Sequence, residues 1–144
     1  MGVRRMDHVN ITVSDLDAAV EFFRDIGLEL EHRSPVEGEW VENIIGLTGV
    51  KEEIAMLRTP DGDAKVELAE FHTPIHEQGG DAAAANRPGL RSVAFVVDDV
   101  RSTVDTLAAK GYGLVGKIQN FEDVFLICYV RGPDGIIVSL NEEL

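Results

Sequence analysis

The chain has 144 residues, 44% of them apolar and 27% charged, the profile of one globular domain with room for a single core. A formal net charge of −13 disfavours nucleic acid and anionic membranes, since both recruit basic surfaces. An acidic field draws in cationic ligands, although solubility is the simpler account of it.

No apolar run approaches the ~20 residues that span a bilayer, so no transmembrane helix is expected. The opening MGVRRMDHVNITV lacks the apolar stretch of a secretory signal. The lone Cys128, in the apolar run LICYVR, has no partner for an internal disulfide and reads as a packed core thiol. A cytoplasmic location is the expectation.

The first element is a period-2 run from His8, with Val9, Ile11 and Val13 on one face and His8, Asn10 and Thr12 on the other. Ser14-Asp15 then caps a helix carrying Leu16, Ala19, Val20 and Phe23 at helical spacing, and Gly27 is placed to stop it. The stretch SPVEGEWVENIIGLTGVK, with Trp40, has a mixed pattern that suits a short helix or lid. EIAMLR and KVELAEF read as strands joined by a Pro60-Asp61-Gly62 turn. HTPIHEQGGDAAAANRPG has no periodicity and reads as a linker.

The second half repeats the first. SVAFVVDDVRSTVDTLAAKGYGL matches HVNITVSDLDAAVEFFRDIGLEL at a constant offset of 84 without a gap, pairing Asp15 with Asp99 and Gly27 with Gly111. DVFLICYVR and IIVSLN are strand-like and flank a second turn, Pro133-Asp134-Gly135. The prolines of the two turns are 73 apart, so the first half holds 11 more residues, in the stretch around Trp40.

The expected fold is α+β: two β-α-β-β-β repeats with pseudo-twofold symmetry, forming a curved mixed sheet around a central cup with the helices outside. Repeat one covers residues 6–71, the linker 72–89 and repeat two 90–144. The duplication makes His8 equivalent to Ser92, and Glu67 to Ser139. All four are expected on sheet faces turned away from the helices, as is Asn141. Glu67, a carboxylate in an apolar strand, needs a partner there.

DHVNITVSDLDAAVEFFRDIGLEL, LRSVAFVVDDV and GPDGIIVSL resemble the recurring segments of the vicinal-oxygen-chelate superfamily, which includes glyoxalase I, methylmalonyl-CoA epimerase, extradiol dioxygenases and bleomycin-resistance proteins. The resemblance covers nearly the whole chain and speaks to fold more than to reaction. It implies a divalent metal (Zn, Ni, Mn, Co or Fe) held by His or Gln, Glu, Gln or His, His, and Glu at the four equivalent positions. This chain keeps His8 and Glu67 but has Ser92 and Ser139 in the second half, an incomplete set.

His8 and Glu67 are therefore expected as former ligands paired by a hydrogen bond, or as a metal-free acid-base pair. His72, His76, Glu122 and Asp123 are the groups that could complete a shell. Asn10, Thr12, Ser92, Ser139, Trp40, Phe125 and Tyr129 are candidate ligand contacts, with Phe121 beside them.

Two functions follow from the resemblance. One is a small-molecule-binding protein of the bleomycin-resistance kind, metal-free or atypical in metal binding. The alternative is a metal-dependent lyase or isomerase of the glyoxalase or epimerase kind, acting on a small oxygen-rich metabolite; a dioxygenase is disfavoured. A homodimer is the expected assembly.

Overall fold

The computed structural model describes residues 2–76 and 82–144. The chain divides into two compact units, residues 1–79 and 80–144. Unit one contains β1 (Val9–Thr12), α1 (Leu16–Ile26), β2 (Glu29–Glu37), α2 (Glu39–Ile45), β3 (Lys51–Arg58) and β4 (Lys65–Thr73). Unit two contains β5 (Ser92–Val96), α3 (Val100–Ala108), β6 (Gln119–Phe121), β7 (Phe125–Arg131) and β8 (Ile137–Glu143). The sheet orders are β1-β4-β3-β2 and β5-β8-β7-β6, so the two units share one topology.

In each unit the first strand pairs parallel with the last, and the long connection that a parallel pair requires begins with the helix. The register makes Asn10 the neighbour of Glu67, and Ala94 the neighbour of Ser139, as the duplication predicts. The 11 extra residues of the first half include α2, seven residues long, to which no helix of unit two corresponds among the described residues. β4 runs to Thr73, two residues into the expected linker; residues 77–81 of that linker lie outside the described residues.

Both crossover helices are held at their N-termini in the same way. Asp15 caps the Ala18 amide at 3.1 Å, and Asp99 caps the Ser102 amide at 2.9 Å. A second carboxylate comes from the last strand of the unit. The Leu16 amide donates to Glu70 Oε1 at 3.0 Å, and the Val100 amide to Glu142 Oε1 at 2.7 Å. Each glutamate satisfies an orphan helix donor and sits on the positive end of the helix dipole. Next to it, the Val13 amide donates to the Ala69 carbonyl and the Val97 amide to the Asn141 carbonyl, both at 2.8 Å.

The C-termini differ. α1 stops at Gly27, whose φ of 125° favours glycine. α3 ends two residues earlier than the repeat predicts: its last turn tightens through Lys110 and Gly111 amides bonded three residues back, and Gly111 carries the positive φ of 91°. In both, a longer bond closes the turn, Leu28 N–H to the Phe23 carbonyl and Tyr112 N–H to the Leu107 carbonyl.

The helix side of each sheet is the core. In unit one Leu16, Phe22 and Phe23 are buried with Ala55, Leu57, Val66 and Leu68, and the Phe22 and Phe23 rings meet edge to face at 5.1 Å. In unit two Val100, Val104 and Leu107 are buried, as are Cys128, Val130, Val138 and Leu140. Burial pushes the Cys128 thiol above its ordinary pKa, which keeps it protonated and unreactive.

Leu68→Ala empties a fully buried site, and urea denaturation is expected to show a loss of about 2–5 kcal/mol. Glu70→Gln and Glu142→Gln each weaken one helix cap, with an expected loss of about 0.5–2 kcal/mol in the same measurement. Equal stability of both variants and the parent would show that the strand-to-helix bonds add nothing.

Candidate functional site

Because side chains alternate, the residues left on the distal face of each sheet, away from its helix, are fixed by register. In unit one that face carries Asn10 and Thr12 on β1, Glu52, Ile54 and Met56 on β3, and Glu67 and Ala69 on β4. Asn10 Nδ2 donates to Glu67 Oε1 at 2.8 Å. His8, just before β1, turns Nε2 toward the same oxygen at 3.9 Å, too far for a hydrogen bond. The expected His8–Glu67 hydrogen bond is thus replaced by one from Asn10, which satisfies the half-buried carboxylate.

His8 is anchored from its other nitrogen. Nδ1 lies 2.7 Å from Asp7 Oδ2, and this bond is the main reason that the Asp7 carboxyl is held below its ordinary pKa. With the Nδ1 proton donated to Asp7, a neutral imidazole keeps its lone pair on Nε2, on the side of Glu67. A carboxylate behind the imidazole is how ligating and proton-transferring histidines are oriented.

The sequence reading missed Glu52. It shares the distal face with Glu67, and its pKa is raised, first by burial and then by the Glu67 charge. Strict alternation in KEEIAMLR places Glu52 with Ile54 and Met56, so the signal was present.

The other expected shell residues do not join these. His72 falls on the helix side of β4, with Nδ1 3.5 Å from Glu70 Oε2. His76 is exposed beyond the strand. Glu122 and Asp123 form the tip of the β6–β7 hairpin at positive φ, and Asp123 exchanges hydrogen bonds with Asn120. Among the described residues no group of three or more His, Cys, Asp or Glu side chains could hold a metal ion. Ser92 is exposed at the start of β5; Ser139 is buried on β8, where its hydroxyl accepts from Asn141 Nδ2 at 3.2 Å. The donor set in hand therefore does not fit a tight metal centre, which needs three or four protein ligands.

Unit two offers a different feature. A recess of about 420 Å³ opens on the distal face of β7, lined by Val115, Lys117, Gln119, Phe121, Ile127 and Tyr129 among others. It exists because the chain alongside β7 is interrupted. Leu114 bridges to Val130 and the Val115 amide donates to the Tyr129 carbonyl at 2.8 Å, but regular pairing resumes only at Gln119. Tyr129 and Phe121 both line this recess. Phe125 lies on the same face of β7, opposite Phe121 and Glu143, and is not among the lining residues. Trp40 is on α2, 59% exposed, with its indole N–H bonded to the Glu37 carbonyl.

The raised Glu52 pKa has a stability consequence. Between the ordinary glutamate value of 4.5 and the raised folded value, the native state holds more protons than the unfolded chain. Stability therefore falls as pH rises through that window. Glu52→Gln is expected to raise the urea midpoint at neutral pH, with the advantage shrinking as pH drops below the ordinary glutamate range. An advantage that stays constant with pH would refute this account.

Residues 5–140 match the model of the Glyoxalase/Bleomycin resistance protein/Dioxygenase superfamily. No curated protein matches. Among solved structures, a glyoxalase family protein from Bacillus cereus is 42% identical, with a TM-score of 0.96 over 100% of this chain and 97% of that one. The trypanothione-dependent glyoxalase I of Leishmania major is 21% identical, with a TM-score of 0.68 over 98% and 88%. TnmS3, an antibiotic-binding protein from a Streptomyces species, is 17% identical, with a TM-score of 0.64 over 100% and 99%. The last two show likeness of fold alone. The family match over most of the sequence, with the close Bacillus cereus structure, makes this chain a member of the Glyoxalase/Bleomycin resistance protein/Dioxygenase superfamily.

Proposed function

We propose that the chain is a small-molecule-binding protein of the glyoxalase/bleomycin-resistance kind that works without a tightly held metal. The recess beside β7 carries this reading. It is concave, mostly apolar and rimmed by a few polar groups, and its volume of about 420 Å³ lies within the ~300–1,000 Å³ common for small-ligand sites. The antibiotic-binding protein TnmS3 has the same fold, which supports ligand capture as a use for it. The donor chemistry supports the metal-free part: Glu67 Oε1 is engaged by Asn10, and the two serines supply neutral hydroxyls where the family supplies His and Glu.

One observation favours the second reading, a metal-dependent lyase or isomerase. Asp7 orients His8 so that Nε2 is presented beside Glu67. Calorimetric titration with Ni²⁺, Zn²⁺, Mn²⁺ and Co²⁺, on protein purified without an affinity tag, separates the two. We expect no saturable uptake. One equivalent bound, and lost in His8→Ala or Glu67→Ala, would replace the metal-free reading by the second.

The assembly proposed is a homodimer. Trp40 and Ile44 stand four apart on α2 and are 59% and 73% exposed, an apolar surface suited to self-association. Light scattering is expected to give twice the 15.7 kDa chain mass. The single buried cysteine fits a reducing compartment, so the proposed location is the cytoplasm. No helix among the described residues is long and apolar enough to cross a membrane.

A further inference from the structure

Lys117 sits in the interruption between Val115 and Gln119, where the chain leaves β7 and exposes the recess. Arg5, Arg33, Arg58 and Lys65 are each held by a carboxylate, whereas Lys117 has no ion pair among the described residues. In a chain with 26 acidic and 13 basic residues, a lysine that lines a mostly apolar recess and has no ion pair among the described residues is a local exception. Phe121 and Tyr129 are 53% and 38% exposed and both line the recess. Gln119 spends its amide N–H on the Asn120 carbonyl at 3.1 Å, which leaves its own side-chain oxygen as an acceptor.

We propose that this recess takes a flat aromatic ligand bearing one anionic substituent, a carboxylate or a sulfonate. The ring stacks on Phe121 and Tyr129, and the anion meets Lys117. Aromatic faces reward a flat apolar partner with offset or edge contacts. The lysine selects the charge, because the overall field of the chain works against anions at a distance and only a local cation reverses that preference. Gln119 Oε1 accepts from an N–H or O–H next to the ring. The proposal rests on the small-molecule reading above and adds to it the class of ligand and the residues that choose it.

Two fluorescent probes test it: 8-anilinonaphthalene-1-sulfonate, and N-phenyl-1-naphthylamine, which has the same rings without the sulfonate. Both are titrated into the parent protein and into Lys117→Met, Phe121→Ala and, as a control among the lysines that do not line the recess, Lys51→Met. Circular dichroism checks that each variant is folded. The expected result is one sulfonate site per chain, weakened about two- to fivefold by Lys117→Met, the scale of a partly exposed charge pair. The uncharged probe is expected to be unmoved by Lys117→Met, both probes to weaken in Phe121→Ala, and neither to respond to Lys51→Met. If both probes bind and depend on Phe121 but not on Lys117, the anion assignment is overturned while the small-molecule reading stands. If they bind without responding to either variant, the recess is not their site and the proposal is overturned. If neither probe binds, the proposal and the reading beneath it fall together.

Discussion

A glutamate reaching from the last strand of each unit to the first amide of its helix is the constraint on which the rest of the structure depends. Glu70 and Glu142 tie β4 to α1 and β8 to α3 at the point where the parallel strand pair hands over to its crossover. A parallel pair has no tight hairpin to set its register. Here the register is set by hydrogen bonds at that corner together with the apolar faces that must meet the helix. A slip of one residue would turn Leu68 or Leu140 out of the core and carry the glutamate to the wrong face.

Once the helix side of each sheet is committed, the other face is free to vary, and the two copies have used that freedom differently. Unit one gathers polar groups: Asn10 on Glu67, the anchored His8, and Glu52 with its raised pKa. Unit two has Ala94 beside Ser139 at the equivalent places, a pair without charge. Its distinctive feature lies instead at the broken edge of β7, where two aromatic rings and one lysine line a recess. The core positions kept their apolar character through this divergence because burial penalises change there, whereas the distal positions answer to function.

Much of this was legible in the residues. Period-2 and period-3.6 patterns named the strands and helices, and the offset of 84 placed His8 against Ser92 as equivalents before any coordinates. The Glu70–Glu142 correspondence was available from the second match, which sets Glu67 against Ser139 at an offset of 72, but nothing in the spacing of an i+54 contact marks a cap. Glu52 could have been found by strict alternation. The replacement of a His8–Glu67 bond by Asn10–Glu67 could not, since both partners lie on the same face and a difference of about an ångström decides between them.

By itself, then, the sequence determined the secondary elements, the duplicated topology, the faces on which the polar residues fall and the serines at positions 92 and 139, because each of these follows from local periodicity or from residue identity. The tertiary structure decided which atoms meet. It put Asn10 rather than His8 on Glu67, set His72 beside Glu70, and opened a recess where pairing along β7 lapses. Those outcomes depend on distances between segments remote in the chain, and no local pattern encodes them.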